Sequence, residues 1–288
     1  MSVTFNVDCL LCHMNKHLSE VRALGDDQTN MAFARELMEL YRSVPENASA
    51  PWLAPHTARL LHRYYGIELD RYAREKAESN AFVLQRQEQI RAKVASAPDR
   101  VFAALQFAIL GNYIDYSALH GEVSFEKLEE LLASALEMEL DKECYGNLCA
   151  DLEKGGRLLY ITDNAGEIVF DRILAEEITS RYPQVDITFC LRGGPANNDA
   201  TREDALQIGL PFPVIDNGNL IPGTQLDQLG EQARQALHSA DIILAKGQGN
   251  AETMMGCGLN VYYAFLIKCP RFMNRFGKAK LSPMLVKE

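Results

Sequence analysis

The sequence predicts an α/β protein, with a helical half over residues 1–154 and a layered, doubly wound, mostly parallel sheet over residues 155–288. Three observations predict it. Up to about residue 150, apolar residues recur at steps of three and four. From about residue 155, short apolar runs alternate with helix-length stretches. The composition is globular, with 47% apolar and 24% charged residues, 19 Gly and 11 Pro in 288 residues. That length carries a prior of roughly two domains.

In the first half, Met31, Ala34, Leu37, Met38 and Tyr41 share one helix face, and Leu60, Leu61, Tyr64 and Tyr65 lie on a helix closed by Gly66. Residues 70–96 are charged and helix-prone, with Pro98 as a stop. Asp99 is placed to cap residues 101–110, a run apolar on nearly all sides and so a buried helix. Phe125, Leu128, Leu132, Leu136 and Leu140 define a further helix face. In the second half, residues 157–162 read as a buried strand and 168–181 as an amphipathic helix. Residues 185–191, 214–215 and 241–245 read as strands, 226–238 as helix, and 261–267 as the last strand.

Twenty-nine Lys and Arg stand against 39 Asp and Glu, a net charge of −10. So acidic a chain, with no cluster of basic residues, is not a general binder of nucleic acid or anionic membrane. No apolar run approaches the ~20 residues needed to span a bilayer. The first twelve residues lack the pattern of a signal peptide, and seven cysteines, an odd count, read as thiols in a reducing cytoplasm. No protein partner is legible.

In an open parallel sheet, ligands sit beyond the carboxyl ends of the strands. Three such loops stand out: Asp163-Asn164-Ala165-Gly166-Glu167, residues 192–201 with Gly193, Gly194, Asn197, Asn198 and Asp199, and Lys246-Gly247-Gln248-Gly249-Asn250. Asp163, Asn164 and Asp199 offer oxygen ligands without imidazole or thiolate, the choice of a hard cation such as Mg²⁺ or Mn²⁺. Lys246 would be a point charge on a phosphate. The amides of Gly247 and Gly249, or those at the helix start after Asn164, would hold its remaining oxygens. The set points to a divalent-metal-dependent phosphatase acting on a small phosphorylated metabolite, with Asp163 and Asp199 catalytic. The competing reading is a nucleotide- or dinucleotide-binding module on Gly247-Gln248-Gly249; Glu252 occupies the place of its third glycine.

The blocks at 163–167, 193–201 and 246–250, with Gly111-Asn112-Tyr113-Ile114-Asp115 before them, resemble the signatures of the DUF89 (damage-control phosphatase, ARMT1-like) family. Cys9-x-x-Cys12 resembles its bacterial and archaeal subgroup. The resemblance spans nearly the whole chain. It implies a helical N-terminal domain on a Rossmann-like three-layer α/β/α domain, and metal-dependent phosphatase activity on sugar phosphates or other phosphorylated metabolites. It places metal ligands (Mg, Mn, Co or Ni) on Asp163, Asn164 and Asp199, and phosphate binding on Lys246. It adds Glu167, Asn112 and Asp115 to the cleft.

Cys9-Leu10-Leu11-Cys12-His13 also spells a haem-attachment motif, which requires an export route. On a helix, Cys9, Cys12 or His13, and His17 share a face, so a structural or soft-metal site is one reading. The other is a helix with its cysteines packed inward and its histidines in solvent. Cys144, Cys149, Cys190, Cys257 and Cys269 read as buried apolar fillers.

Overall fold

The computed structural model describes residues 3–119 and 123–287. The first half contains helices α1 (Val7–Val21), α2 (Asp27–Arg42), α3 (Leu53–Tyr65), α4 (Ala73–Leu84), α5 (Gln87–Ser96), α6 (Arg100–Gly111), α7 (Phe125–Ala133) and α8 (Lys142–Lys154). The second runs β1 (Gly156–Ile161), α9 (Glu167–Arg181), β2 (Val185–Leu191), α10 (Arg202–Gln207), β3 (Val214–Asp216), α11 (Glu231–Ser239) and β4 (Ile242–Lys246). It closes with α12 (Gln248–Met254), β5 (Val261–Leu266), α13 (Pro270–Phe276) and β6 (Pro283–Lys287).

Local chemistry sets many of these boundaries. Asn6, Asp26, Asp99, Ser124 and Asp141 each accept a backbone N–H in the first turn of the helix they precede. Gly66 ends α3 at φ 67°, where a side chain would be strained.

The sheet order is β3-β2-β1-β4-β5-β6, parallel except for β6, which runs antiparallel along β5. Both faces are covered. Leu158, Tyr160, Phe189, Leu244 and Tyr262 pack with residues of α6 and α9, whereas Leu159, Ile161, Ile243, Tyr263 and Phe265 pack with residues of α11, α12 and α13. Burial on both sides is why the strands read as unbroken apolar runs. The first of these cores extends without interruption from Val83 to Leu285, so the two halves share it.

Several expectations need correction. The apolar face at 125–140 is cut at Ala133, and Leu136 is 41% exposed. Buried Gln106 of α6 donates to the carbonyls of Leu136 and Met138, oxygens a longer helix would have used itself. In α2 the buried stripe is Phe33, Ala34 and Leu37, while Met31 and Met38 stay exposed. Phe33 fixes that rotation through edge contacts with Tyr64 and Tyr65. The stretch 70–96 is two helices, and 226–238 is a short 3₁₀ turn followed by α11. Helix α9 is not amphipathic: Glu167 through Ala175 are all buried, between the sheet and the helical half. Residues 261–267 are not the last strand, because β6 follows. Cys144 and Cys190 are buried, but Cys149, Cys257 and Cys269 are only partly so.

Candidate active site

The strand order reverses between β1 and β4, where an open α/β sheet leaves a crevice. Residues 163–167 leave β1 there and 246–250 leave β4. The loop 192–201 arrives from β2, residues 112–115 from the end of α6, and Lys268 from the end of β5. Backbone bonds join the loops: Ala200 N donates to Asp163 O at 2.7 Å, and Ala165 N to Asn198 O at 2.9 Å. Asn164 and Asp199 form an isolated antiparallel bridge.

Asp163, Asn164 and Asp199 are thereby brought together, all buried. One guanidinium, Arg192, donates to Asp199 Oδ2 from Nε at 2.6 Å and lies 3.8 Å from Asp163 Oδ1. Asn164 Nδ2 donates to Asp163 Oδ2 at 2.7 Å and to Glu167 Oε2 at 2.8 Å, and its Oδ1 accepts from Asn198 Nδ2. Asn112 Nδ2 donates to the same two carboxylate oxygens, at 2.8 and 2.9 Å, and its Oδ1 accepts from Leu266 N. Asp115 takes the N–H groups of Ser117 and Ala118 on Oδ1 and the ammonium of Lys268 on Oδ2 at 2.6 Å.

The other expected partners are arranged differently from the sequence reading. Lys246 is fully buried, and its three donors are committed to Ala108 O, Glu167 Oε1 and Asp171 Oδ1, each at 2.8 Å. No donor is left to meet a phosphate. The amide of Gly247 donates to Ala264 O, extending the sheet ladder. Gly249 lies inside α12, with Pro222 O where a Cβ would stand. The helix start after Asn164 is also taken: Gly166 N donates to Asn80 Oδ1 at 2.6 Å, and Asn164 N faces Glu167 Oε2. An acidic side chain at the N-terminus of α9 fills the place a pyrophosphate would need.

Arg192, Asn198, Asp171 and Lys268 were not assigned roles from sequence. A signal for Asp171 exists: Glu167 and Asp171 stand four apart around the apolar Ile168-Val169-Phe170, so both acids project from one face of a buried helix. Lys268 carries none, being one lysine after a strand.

Charge decides what the site can hold. Five buried carboxylates (Asp115, Asp163, Glu167, Asp171, Asp199) face three buried cations (Arg192, Lys246, Lys268). Burial first, then Asp199 and Glu167 beside it, pushes the Asp163 carboxyl well above its usual range. Burial raises Asp199 to about 6 against the pull of Arg192, and raises Asp171 to about 6 against the pull of Lys246. Burial would lower Lys246, yet Asp171 and Glu167 push it up to about 12. Of the buried polar atoms that lack partners among the described residues, Arg192 Nη1, Asn198 Oδ1 and Asp171 Oδ2 belong to this cluster. An excess of two negative charges, an open carbonyl oxygen and an open guanidinium N–H suit a divalent cation with an anion beside it. Asp163, Asn164 and Asp199 supply the hard oxygen donors such an ion takes.

Gly247 sits at φ 81°, and a Cβ there would lie 2.0 Å from Asp163 Oδ2. Gly247→Ala is therefore expected to cost more than about 1 kcal/mol and to displace Asp163. A lowered thermal midpoint that no longer responds to divalent ions would show it.

Cys9 Sγ accepts from Arg271 Nη1 at 3.4 Å, and among the described residues neither Cys9 nor Cys12 has a hydrogen bond to this cluster of carboxylates. Helix α1 is turned opposite to the inward-cysteine reading: Cys12 is exposed and His17 buried. His13 uses both ring nitrogens, on Tyr41 Oη at 2.9 Å and Thr57 Oγ1 at 3.2 Å, and burial pushes it down to about 2. Among the described residues, no three His, Cys, Asp or Glu side chains are grouped as a metal cage.

A family model described as the damage-control phosphatase ARMT1-like domain matches residues 5–282. A damage-control phosphatase of Archaeoglobus fulgidus is 30% identical, covering 93% of this chain and 94% of its own. One of Pyrococcus horikoshii is 30% identical, covering 91% of each. An uncharacterized protein of Methanocaldococcus jannaschii is 30% identical, over 96% of this chain and 93% of its own. A crystal structure of a DUF89 family protein from Pyrococcus horikoshii superposes with a TM-score of 0.82 at 27% identity, covering 98% of both chains.

Proposed function

We propose, on the premise that this chain belongs to the damage-control phosphatase ARMT1-like family, that it hydrolyses a small phosphomonoester with a divalent ion held by Asp163, Asn164 and Asp199. The observation that carries the reading is the formal excess of two carboxylates over cations in the buried cluster that contains these three residues. When bound, a divalent ion supplies Lewis acidity toward a phosphoryl oxygen and toward water.

The chain's own groups do the rest. Lys268 Nζ has Asp115 as its ion-pair partner and stands close enough to act on Asp163, so it is the cation we assign to the phosphate in place of Lys246. Arg192 Nη1, without a partner, donates to a second phosphoryl oxygen. Asp163 or Asp199 orients the attacking water and takes its proton. Asn112 and Asn164 hold Asp163 and Glu167 in position. Burial of every one of these groups keeps bulk water away from the phosphoryl centre.

The test is a phosphate-release screen over sugar phosphates, nucleotides and phosphorylated cofactors, each with Mg²⁺, Mn²⁺, Co²⁺ and Ni²⁺. Release that requires an ion supports the reading. No release with any pair, together with stabilisation by NAD(P) in the absence of metal, overturns it in favour of a dinucleotide module.

Stability should report the same charge excess. Asp163 and Asp199 bind protons more tightly folded than unfolded, so their contribution is fully present below about pH 4. For Asp199 it is lost as the pH rises through about 6. A divalent ion displaces those protons and restores the loss. The thermal midpoint is expected to rise by roughly 5 °C at pH 7.5 with ion about a hundredfold above Kd. At pH 5 the rise should be clearly smaller, and equal shifts would contradict the assignment.

A further inference from the structure

Helix α1 of the N-terminal half reaches the rim of the site through one side chain. Lys16 Nζ donates to Ser117 O at 2.9 Å. Ser117 belongs to the turn that Asp115 organises: Asp115 Oδ1 accepts Ser117 N at 3.1 Å, and Asp115 Oδ2 accepts Lys268 Nζ at 2.6 Å. Ser117 Oγ in turn accepts Asn197 Nδ2 at 3.3 Å, beside the Asn198 and Asp199 of the site loop. Two ammonium groups, Lys268 and Lys16, therefore flank a single short turn, the first inside the site and the second at its edge.

Lys16 differs from the buried lysines of this protein. Lys76, Lys246 and Lys268 each lie within 4 Å of a carboxylate. Lys16 has a neutral carbonyl and, among the described residues, no carboxylate at ion-pair distance. It is nonetheless partly withdrawn from water, and burial holds its ammonium below the usual lysine range. Asp115 and Glu20 act on it only from beyond ion-pair distance, so an ammonium with one of three donors used and largely desolvated gains from an anion that completes it.

We propose that Lys16 binds a second anionic group of the substrate, so that the substrate class is a phosphomonoester carrying a carboxylate or another phosphate away from the scissile one. The proposal rests on the phosphatase reading. Lys268 and Arg192, beside the residues that would hold the ion, take the phosphate that leaves; Lys16, across the Asp115–Ser117 turn, takes the distal charge. An ammonium is a point charge that fixes charge and not geometry, so both kinds of distal group fit.

The experiment compares kcat and KM for three matched esters of one carbon skeleton: a neutral phosphomonoester, its carboxylate-bearing analogue and its bisphosphate. The divalent ion is the one that supports release best. The wild type is expected to favour at least one acidic ester about tenfold or more in kcat/KM, the size of one charge-assisted hydrogen bond. The carboxylate and bisphosphate arms tell which distal group is preferred. In Lys16→Met the ratio should fall toward one through KM, with Lys16→Arg retaining most of it. Lys278→Met, at an exposed lysine, should leave the ratio where it was. A wild-type ratio near one, or a ratio that survives in Lys16→Met, overturns the proposal while phosphate release from the neutral ester keeps the phosphatase reading intact. No release from any of the three, nor from the wider screen, overturns both.

Discussion

Asp163→Asn is expected to lower metal-dependent phosphate release at least about a hundredfold, with the thermal midpoint unchanged or raised. The floor on the loss comes from the cost of changing supporting residues: altering a group that merely holds a ligand typically removes 10–100-fold, and Asp163 is assigned as a ligand itself. The stability outcome comes from the charge count. Asp163 is raised by burial and by Asp199 and Glu167, so the folded protein carries it under strain at neutral pH. An amide of the same shape keeps an oxygen for Asn112 Nδ2 and Asn164 Nδ2 and removes one of two excess charges. Steady-state release with and without the ion, beside a melting curve, checks both halves. Retained activity would remove the site assignment; lost activity with a lowered midpoint would reduce Asp163 to a structural residue.

Lys246→Met should produce the largest loss of stability. Its ammonium is the shared partner of Glu167 and Asp171, with all three side chains fully buried. Removing one member of a buried ion pair costs about 3–5 kcal/mol, because the remaining charge is left without compensation. Here two carboxylates would be left. Against a typical total of about 5–15 kcal/mol, the variant should unfold at much lower denaturant or fail to accumulate. The charge origin is separable from packing. Adding Glu167→Gln and Asp171→Asn to Lys246→Met removes the orphaned charges, and should recover most of the denaturation midpoint without recovering activity. A single variant as stable as the parent would contradict the ion-pair account.

Much of the fold was legible because its signals are local. The Asp99 cap, the Gly66 terminus and the apolar strands at 157–162 and 185–191 each declare themselves within a few residues. The hidden features depend on partners far away. The early end of α7 is set by Gln106, thirty residues upstream of Leu136. β6 was missed because Pro283–Lys287 is short and gains its partner only from β5. Within the site, the loops at Asp163, Asn164 and Asp199 could be found by inspecting the residues at the carboxyl end of each strand. The commitments of Lys246 could not, since Ala108, Glu167 and Asp171 come from two helices on the other side of a turn. Residue type showed that a lysine stood at the strand end; only packing showed which neighbours consume it.

Asn112 has a consequence for how this protein comes into being. Its amide bonds Asp163, Glu167 and the peptide of Leu266, three stretches separated from it by up to 154 positions. During synthesis the chain must emerge past Leu266 before that amide has all its mates. The cluster around Asn112 is thus completed only when segments from both halves have emerged and met.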